Sequence, residues 1–174
     1  MLSGARWFGG MMVVVVTGAC ATVGNGGGPP WDAPPPPADH NVYACALEED
    51  RDDEQQIGPG GGNLVAGAHR LNVPSGALRA ATRLAMREHA SEYIVVSLRP
   101  AGHGYGQAAT LVMRTERCGR LAANRAPLGI VRRGPGAQGS WSRVPEGTVE
   151  QVSEGVWEVR LDVEGHSSYA LVAP

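Results

Sequence analysis

The sequence predicts an all-β protein, an immunoglobulin-like β-sandwich preceded by a disordered tether. Three observations lead to this prediction. From Ile57 onward, short apolar stretches recur about every 8–12 residues and are separated by Gly and Pro. No long segment has an unambiguous helical periodicity. The residues before Ile57 are rich in Gly, Pro and acidic side chains, and they offer little apolar surface for a core.

The predicted strands are short and follow one another closely, as in a sandwich. They are Asn63–Ala66, His69–Val73, Thr82–Glu88, Tyr93–Arg99, Thr110–Arg114, Leu128–Arg132, Trp141–Val144, Thr148–Val152, Val156–Val163 and Tyr169–Val172. Val156–Val163 has the clearest pattern, because its apolar residues alternate with charged ones, which predicts one buried and one solvent-facing side. Its charged residues are Glu158, Arg160 and Asp162.

Residues 75–90 are also compatible with a helix. Arg79, Arg83 and Arg87 are spaced four apart and would share one helical face. The alternation of Thr82, Leu84 and Met86 fits a strand equally well, and we predict a turn that leads into a strand.

Residues 1–19 are predicted to be a signal peptide. A short start that carries Arg6 precedes the apolar run Trp7–Val16, and the small residues Thr17, Gly18 and Ala19 follow it. The run is about ten residues long, whereas a membrane-spanning helix needs about 20. The alternatives are an uncleaved anchor or a buried strand.

Cys20 directly follows the small residues and resembles the cysteine of the bacterial lipobox. Ala19 and Cys20 fit that motif, whereas Thr17 and Gly18 depart from it. The resemblance implies that Cys20 is lipidated and that the chain is anchored to a membrane of the bacterial cell envelope, outside the cytoplasm. The alternative is cleavage near Ala19 or Ala21, which would release a secreted protein.

Residues 20–56 are predicted to be a linker. Its first part is rich in Gly and its second in Pro, and both compositions are typical of spacers. Residues 41–47 are a candidate for a short strand, and the acidic run Glu48–Glu54 is predicted to be a loop. The sandwich domain is then expected over residues 57–174.

Two cysteines remain if Cys20 carries a lipid. Cys45 and Cys118 lie 73 residues apart in the sequence. Paired cysteines in an exported chain are typically oxidised, so we expect a disulfide between them. The alternative is two buried thiols. The chain has no CxxC and no Cys/His spacing typical of a metal site, so no metal or cofactor is predicted.

Part of the domain resembles the ZU-five domain of ankyrins, netrin receptors and tight-junction scaffolds. The similarity is carried by four segments, of which the fold motif Val73-Pro74-Ser75-Gly76-Ala77-Leu78 is the most specific. The others are Gly60–Val65, Val96–Gly102 and Ala108–Met113, and Cys118 falls where a Cys often ends the last of these strands. The resemblance covers residues 57–120 well and 121–174 loosely. It implies a β-sandwich with a role in protein contacts and no cofactor.

The same resemblance identifies one candidate site for self-cleavage of the backbone. Some eukaryotic relatives cleave their own backbone at a His-Phe-Ser sequence, which corresponds here to His166-Ser167-Ser168. By analogy Ser168 would be the nucleophile, His166 a candidate base, and the break would follow Ser167. Ser167 in place of Phe departs from the pattern, and we predict no catalytic residues.

The expected function is therefore that of a membrane-tethered module. We expect a non-catalytic sandwich that contacts another envelope protein or has a structural role, with the membrane bound through the lipid. Eight of the 17 acidic residues lie between Pro29 and Gln56, ahead of the domain, and this distribution does not fit nucleic-acid binding. The alternatives are a secreted binder of small ligands, glycans or ions, or self-cleavage. The Gly-rich loops Pro100–Gln107 and Gly134–Ser140 are the expected contact regions.

Overall fold

The computed structural model describes residues 34, 37, 40–116, 118, 129–134, 140–145 and 147–173. The described residues form strands and turns, and none of them lies in a helix that is long and apolar enough to cross a membrane. The strands are β1 (Arg51–Ile57), β2 (Gly62–Ala66), β3 (His69–Val73), β4 (Thr82–Glu88), β5 (Val95–Arg99), β6 (Gly104–Arg114), β7 (Gly129–Arg133), β8 (Trp141–Val144), β9 (Gly147–Ser153), β10 (Val156–Gly165) and β11 (Ser168–Val172).

The strands form two antiparallel sheets, which confirms the predicted all-β sandwich. The first sheet has six strands in the order β1-β4-β5-β11-β7-β8, and the second has five in the order β2-β3-β6-β10-β9. Residues from both sheets form one buried apolar cluster. In the five-stranded sheet Leu71, Leu111 and Leu161 lie opposite one another on β3, β6 and β10, and all three are buried. Full burial stabilises such a side chain by about 1.5–3 kcal/mol.

All ten predicted strands occur, and most of their ends differ from the observed ones by two residues or fewer. Two differences are larger. The first is β1, because the acidic run predicted as a loop is a strand from Arg51 onward, and this strand precedes the predicted domain start at Ile57. The second is β6, which begins at Gly104, so the loop predicted over Pro100–Gln107 is only a turn at residues 100–103.

Strand β1 forms because of its neighbour β4. It is exposed and polar except for Ile57, so it lacks the apolar alternation that identifies a strand. Its acidic residues instead face the arginines of β4: Glu54 pairs with Arg83, and Asp52 lies 3.6 Å from Arg87. A charged edge strand also protects the sheet from pairing with other chains.

The segment 40–47 packs on the sandwich. Val42 forms a bridge with Val172 at the end of β11, and Ala44 forms one with Tyr93, two residues before β5, so the candidate strand at 41–47 forms isolated bridges only. The Tyr93 hydroxyl donates a 2.8 Å hydrogen bond to the carbonyl of Pro34. Tyr43 and Cys45 are buried in the main core cluster, so this part of the predicted linker is packed into the fold. The predicted signal peptide, Cys20 and the Gly-rich stretch lie outside the described residues.

The motif Val73–Leu78 forms the turn that leaves β3. Gly76 has a φ of 83°, a left-handed conformation that favours glycine, as its position in the motif predicts. Its N–H donates a 2.8 Å hydrogen bond to Pro59 in the β1–β2 turn. In that turn Gly61 also has a positive φ of 79°, and a Cβ at Gly61 would lie 2.5 Å from the carbonyl oxygen of Val73. The two turns are therefore in close backbone contact.

Replacement of Gly61 by Ala should lower the free energy of unfolding by about 2 kcal/mol, because the side chain would be both strained and in collision with backbone atoms. Urea denaturation of Gly61→Ala and wild type measures this difference. Gly60→Ala is the control, since a Cβ at Gly60 meets no atom within 4 Å, and its change should stay within about 0.5 kcal/mol. Equal stabilities for the two variants would contradict the contact.

Candidate functional site

Cys45 and Cys118 form a disulfide, as predicted. Cys45 belongs to the segment 40–47, and its N–H donates a 2.9 Å hydrogen bond to Glu92. Cys118 follows β6 and donates its N–H to Thr115 at 3.0 Å. The bond therefore connects the N-terminal segment to the end of a central strand of the other sheet. Closing a loop of 73 residues stabilises the fold by about 4 kcal/mol on the chain-entropy model.

The candidate base His166 is engaged with an aromatic neighbour rather than with Ser168. Its Nε2 forms a short hydrogen bond with the Tyr105 hydroxyl. Burial, with a further contribution from the nearby His103, lowers the pKa of His166 to about 4, so the ring is neutral at pH 7. Within the described part of the chain, no hydrogen bond joins His166 to Ser168.

Ser168 lies at the end of a different chain of hydrogen bonds. Its Oγ is 2.8 Å from the Oγ of Ser97, which is 2.8 Å from the Nε2 of His89. Burial lowers the pKa of His89 to about 4; the Asp50 carboxylate opposes this shift, and neighbouring arginines add to it. These three side chains connect the end of β4 with β5 and β11. The Ser167 carbonyl meanwhile accepts a 2.9 Å hydrogen bond from the backbone N–H of Leu98.

The outer face of the five-stranded sheet contains a groove that the sequence did not suggest. Its volume is about 460 Å³. We call it the arginine groove and define it by six of its lining residues: Arg70, Asn72, Val112, Arg114, Glu158 and Arg160.

Strand register places two of the arginines on either side of an apolar residue. Val112 on β6 lies opposite Arg70 on β3 and opposite Arg160 on β10. Arg70 itself lies opposite Val65 on β2, a valine that is 46% exposed. Apolar and cationic side chains thus alternate across four strands on this face of the sheet.

Glu158 is buried below the arginines. It is 1% exposed, and its two carboxylate oxygens accept hydrogen bonds from Nε of Arg114 at 2.6 Å and from Nε of Arg160 at 2.5 Å. Burial alone would raise the pKa of Glu158, but the hydrogen bonds from Arg160 and Arg114 outweigh it, so the pKa is lower than usual. The prediction that Glu158 faces solvent is therefore wrong, although the strand alternation itself is correct.

A second buried acidic side chain, Glu88 on β4, contacts His69 on β3 between the two sheets. Glu88 Oε1 is 2.9 Å from Nε2 of His69, and Nδ1 of His69 lies 3.1 Å from the backbone nitrogen of Arg114. Because Nδ1 accepts the backbone N–H of Arg114, Nε2 is the ring nitrogen that donates to Glu88. This link connects the two sheets and holds β6 at Arg114.

Arg70 differs from the other two arginines of the groove. It is exposed, and the structure gives it no ion pair among the described residues. No group of three or more potential metal ligands occurs in the described ranges. The arginine side chains of the groove can therefore bind a carboxylate or another oxyanion.

Comparisons with known proteins identify no relative: no protein-family model matches the chain, and no curated protein is similar to it at a significant level.

Replacing Glu158 with Gln should destabilise the protein by about 2 kcal/mol at pH 7, because a buried charge-assisted pair is lost. The pKa of Glu158 is lower in the folded state than its ordinary value of 4.5. The ionised side chain therefore stabilises the fold fully above pH 4.5, and this stabilisation is lost as the pH falls through the folded-state pKa. The gap between the wild-type and Glu158→Gln stabilities should thus narrow on acidification, as followed by urea denaturation from pH 7 to pH 3. Glu164→Gln, on the same strand but exposed, is the control. A gap that stays constant with pH would contradict the assignment.

Proposed function

We propose that this chain is an exported lipoprotein, held to a membrane of the bacterial cell envelope by a lipid on Cys20, and that its β-sandwich is a non-catalytic module for contacts with another envelope protein. The observation that carries the proposal is the disulfide between Cys45 and Cys118. Stable disulfides are typical of oxidising compartments outside the cytoplasm.

The number of cysteines supports the anchor. The chain has three, and the disulfide uses two of them, so Cys20 is the remaining thiol. An odd cysteine in an exported protein is either reactive or modified. Cys20 follows the apolar and small residues of the predicted signal peptide, where a lipid would be attached.

The distance between Cys20 and the folded part supports a spacer role. Fourteen positions separate Cys20 from Pro34, whose carbonyl accepts the hydrogen bond from Tyr93. A chain of that length reaches at most about 50 Å.

The groove and the family resemblance support a role in protein contacts. The arginine groove is a concave, charged surface of the kind used for recognition. The resemblance of Val73–Leu78 and the neighbouring segments to the ZU-five domain implies the same role.

The anchor is tested by labelling cells with a radioactive or clickable fatty acid. The wild-type chain should incorporate the label and sediment with membranes, whereas Cys20→Ala should lose both properties because the acceptor sulfur is missing. Cys45→Ser is the control, since it removes a cysteine that the disulfide uses and leaves the lipid acceptor in place, so it should stay labelled. An unlabelled wild type, or a labelled Cys20→Ala, would contradict the anchor.

The compartment is tested by thiol alkylation of the Cys20→Ala chain, in which Cys45 and Cys118 are the remaining cysteines. Thiols are trapped at lysis with a mass-tagged maleimide under denaturing conditions. We expect no tag before reduction and two tags after it, because the disulfide forms in the oxidising compartment. Two tags without reduction would place the protein in a reducing compartment.

A further inference from the structure

We propose that the arginine groove binds an acidic, extended peptide segment of the partner protein. The inference rests on the proposed contact function and specifies the chemistry of the partner. The groove lies on the outer face of the five-stranded sheet, whereas residues 40–47 form their bridges with Tyr93 and Val172, and none of them lines the groove.

Arg114 and Arg160 are held in place with most of their donors still available. Each uses Nε to bind the buried Glu158. Their side chains remain 41% and 56% exposed. A guanidinium has five N–H donors in a planar fork, so the Nη groups of both arginines can bind a carboxylate from solution. Since Glu158 fixes their position, less side-chain entropy is lost when a ligand binds.

Arg70 provides the third guanidinium. Two strand spacings separate β3 from β10, so Arg70 and Arg160 are about 10 Å apart at the backbone, with Val112 between them. Alternate residues of an extended peptide are about 7 Å apart and point to the same side. Acidic side chains at positions i and i+4, about 13 Å apart, can reach the two long arginine side chains, and an apolar side chain at i+2 faces Val112 between them.

The charges around the groove favour a peptide over a polyanion or an anionic lipid surface. Glu116 lines the groove, and Asp162 lies on the same face of β10, two residues beyond Arg160. These carboxylates would repel a continuous row of phosphates. Exposed Val65 adds an apolar contact next to Arg70. A ligand with separate carboxylates and apolar side chains matches this pattern.

The test uses the purified full-length chain and a fluorescent peptide of nine residues in which every second residue is Ser and the others alternate between Glu and Val, with binding followed by fluorescence anisotropy. We expect binding that weakens with added salt. Arg70→Glu should weaken it by roughly tenfold, because one exposed ion pair is replaced by a repulsion. Arg143→Glu, an exposed position on β8 with the same change in charge, is the matched control and should bind like wild type. Arg70→Gln should have an intermediate effect.

Four results would overturn the proposal. The first is equal loss of binding in Arg70→Glu and Arg143→Glu, which indicates general charge attraction. The second is equal binding of the peptide with Gln in place of Glu. The third is competition by free glutarate at the same concentration as the peptide, which indicates a small-carboxylate site. The fourth is Arg70-dependent binding to phosphatidylglycerol vesicles. Thermal unfolding of each variant verifies that the fold is intact, and the fatty-acid labelling of Cys20 remains an independent test of the anchor.

Discussion

A carboxyl group removed from water needs hydrogen-bond donors from the protein, and two such groups organise the five-stranded sheet. Glu158 is on its outer face, bound by two arginines, and Glu88 reaches it from the opposite sheet through His69. Both groups are connected to Arg114 on β6. Glu158 binds the side chain of Arg114, and Glu88 binds His69, which accepts the backbone N–H of Arg114. A buried charge that loses its partner is strongly destabilising, so these contacts constrain the strand register more than apolar packing alone would.

The same constraint creates the candidate binding surface. An arginine on an exposed strand is normally free to adopt many rotamers, but Arg114 and Arg160 are held by one buried glutamate. The groove is therefore preorganised on two of its sides, while Arg70 supplies a guanidinium that is not committed to an internal ion pair in the described structure. Rigid strands below the groove give it the precision that a loop site would lack.

Most of the fold follows from local patterns in the sequence. Apolar alternation and turn residues were sufficient to predict β3, β4 and β8 with their observed ends. Strand β1 could not be predicted in this way, because it is stabilised by the arginines of a strand about 30 positions later. The groove was missed for a related reason: Arg70, Arg114 and Arg160 are far apart in the sequence, and only the register of β3, β6 and β10 brings them together. The cysteine pair, in contrast, was predictable by counting.

The position of the disulfide also determines how the molecule responds to a mechanical load. Tension applied from the N-terminal side would peel the residues ahead of Cys45 away from the sheet, since their bridges to Val172 and Tyr93 are isolated ones. At Cys45 the force passes through the sulfur atoms to Cys118 and enters the chain beyond β6. That strand is flanked by β3 and β10, so the load would act in shear on paired hydrogen bonds. A pulling force on the N-terminal residues would therefore be carried by the disulfide and the central strand, and it would not unfold the sandwich strand by strand from that end.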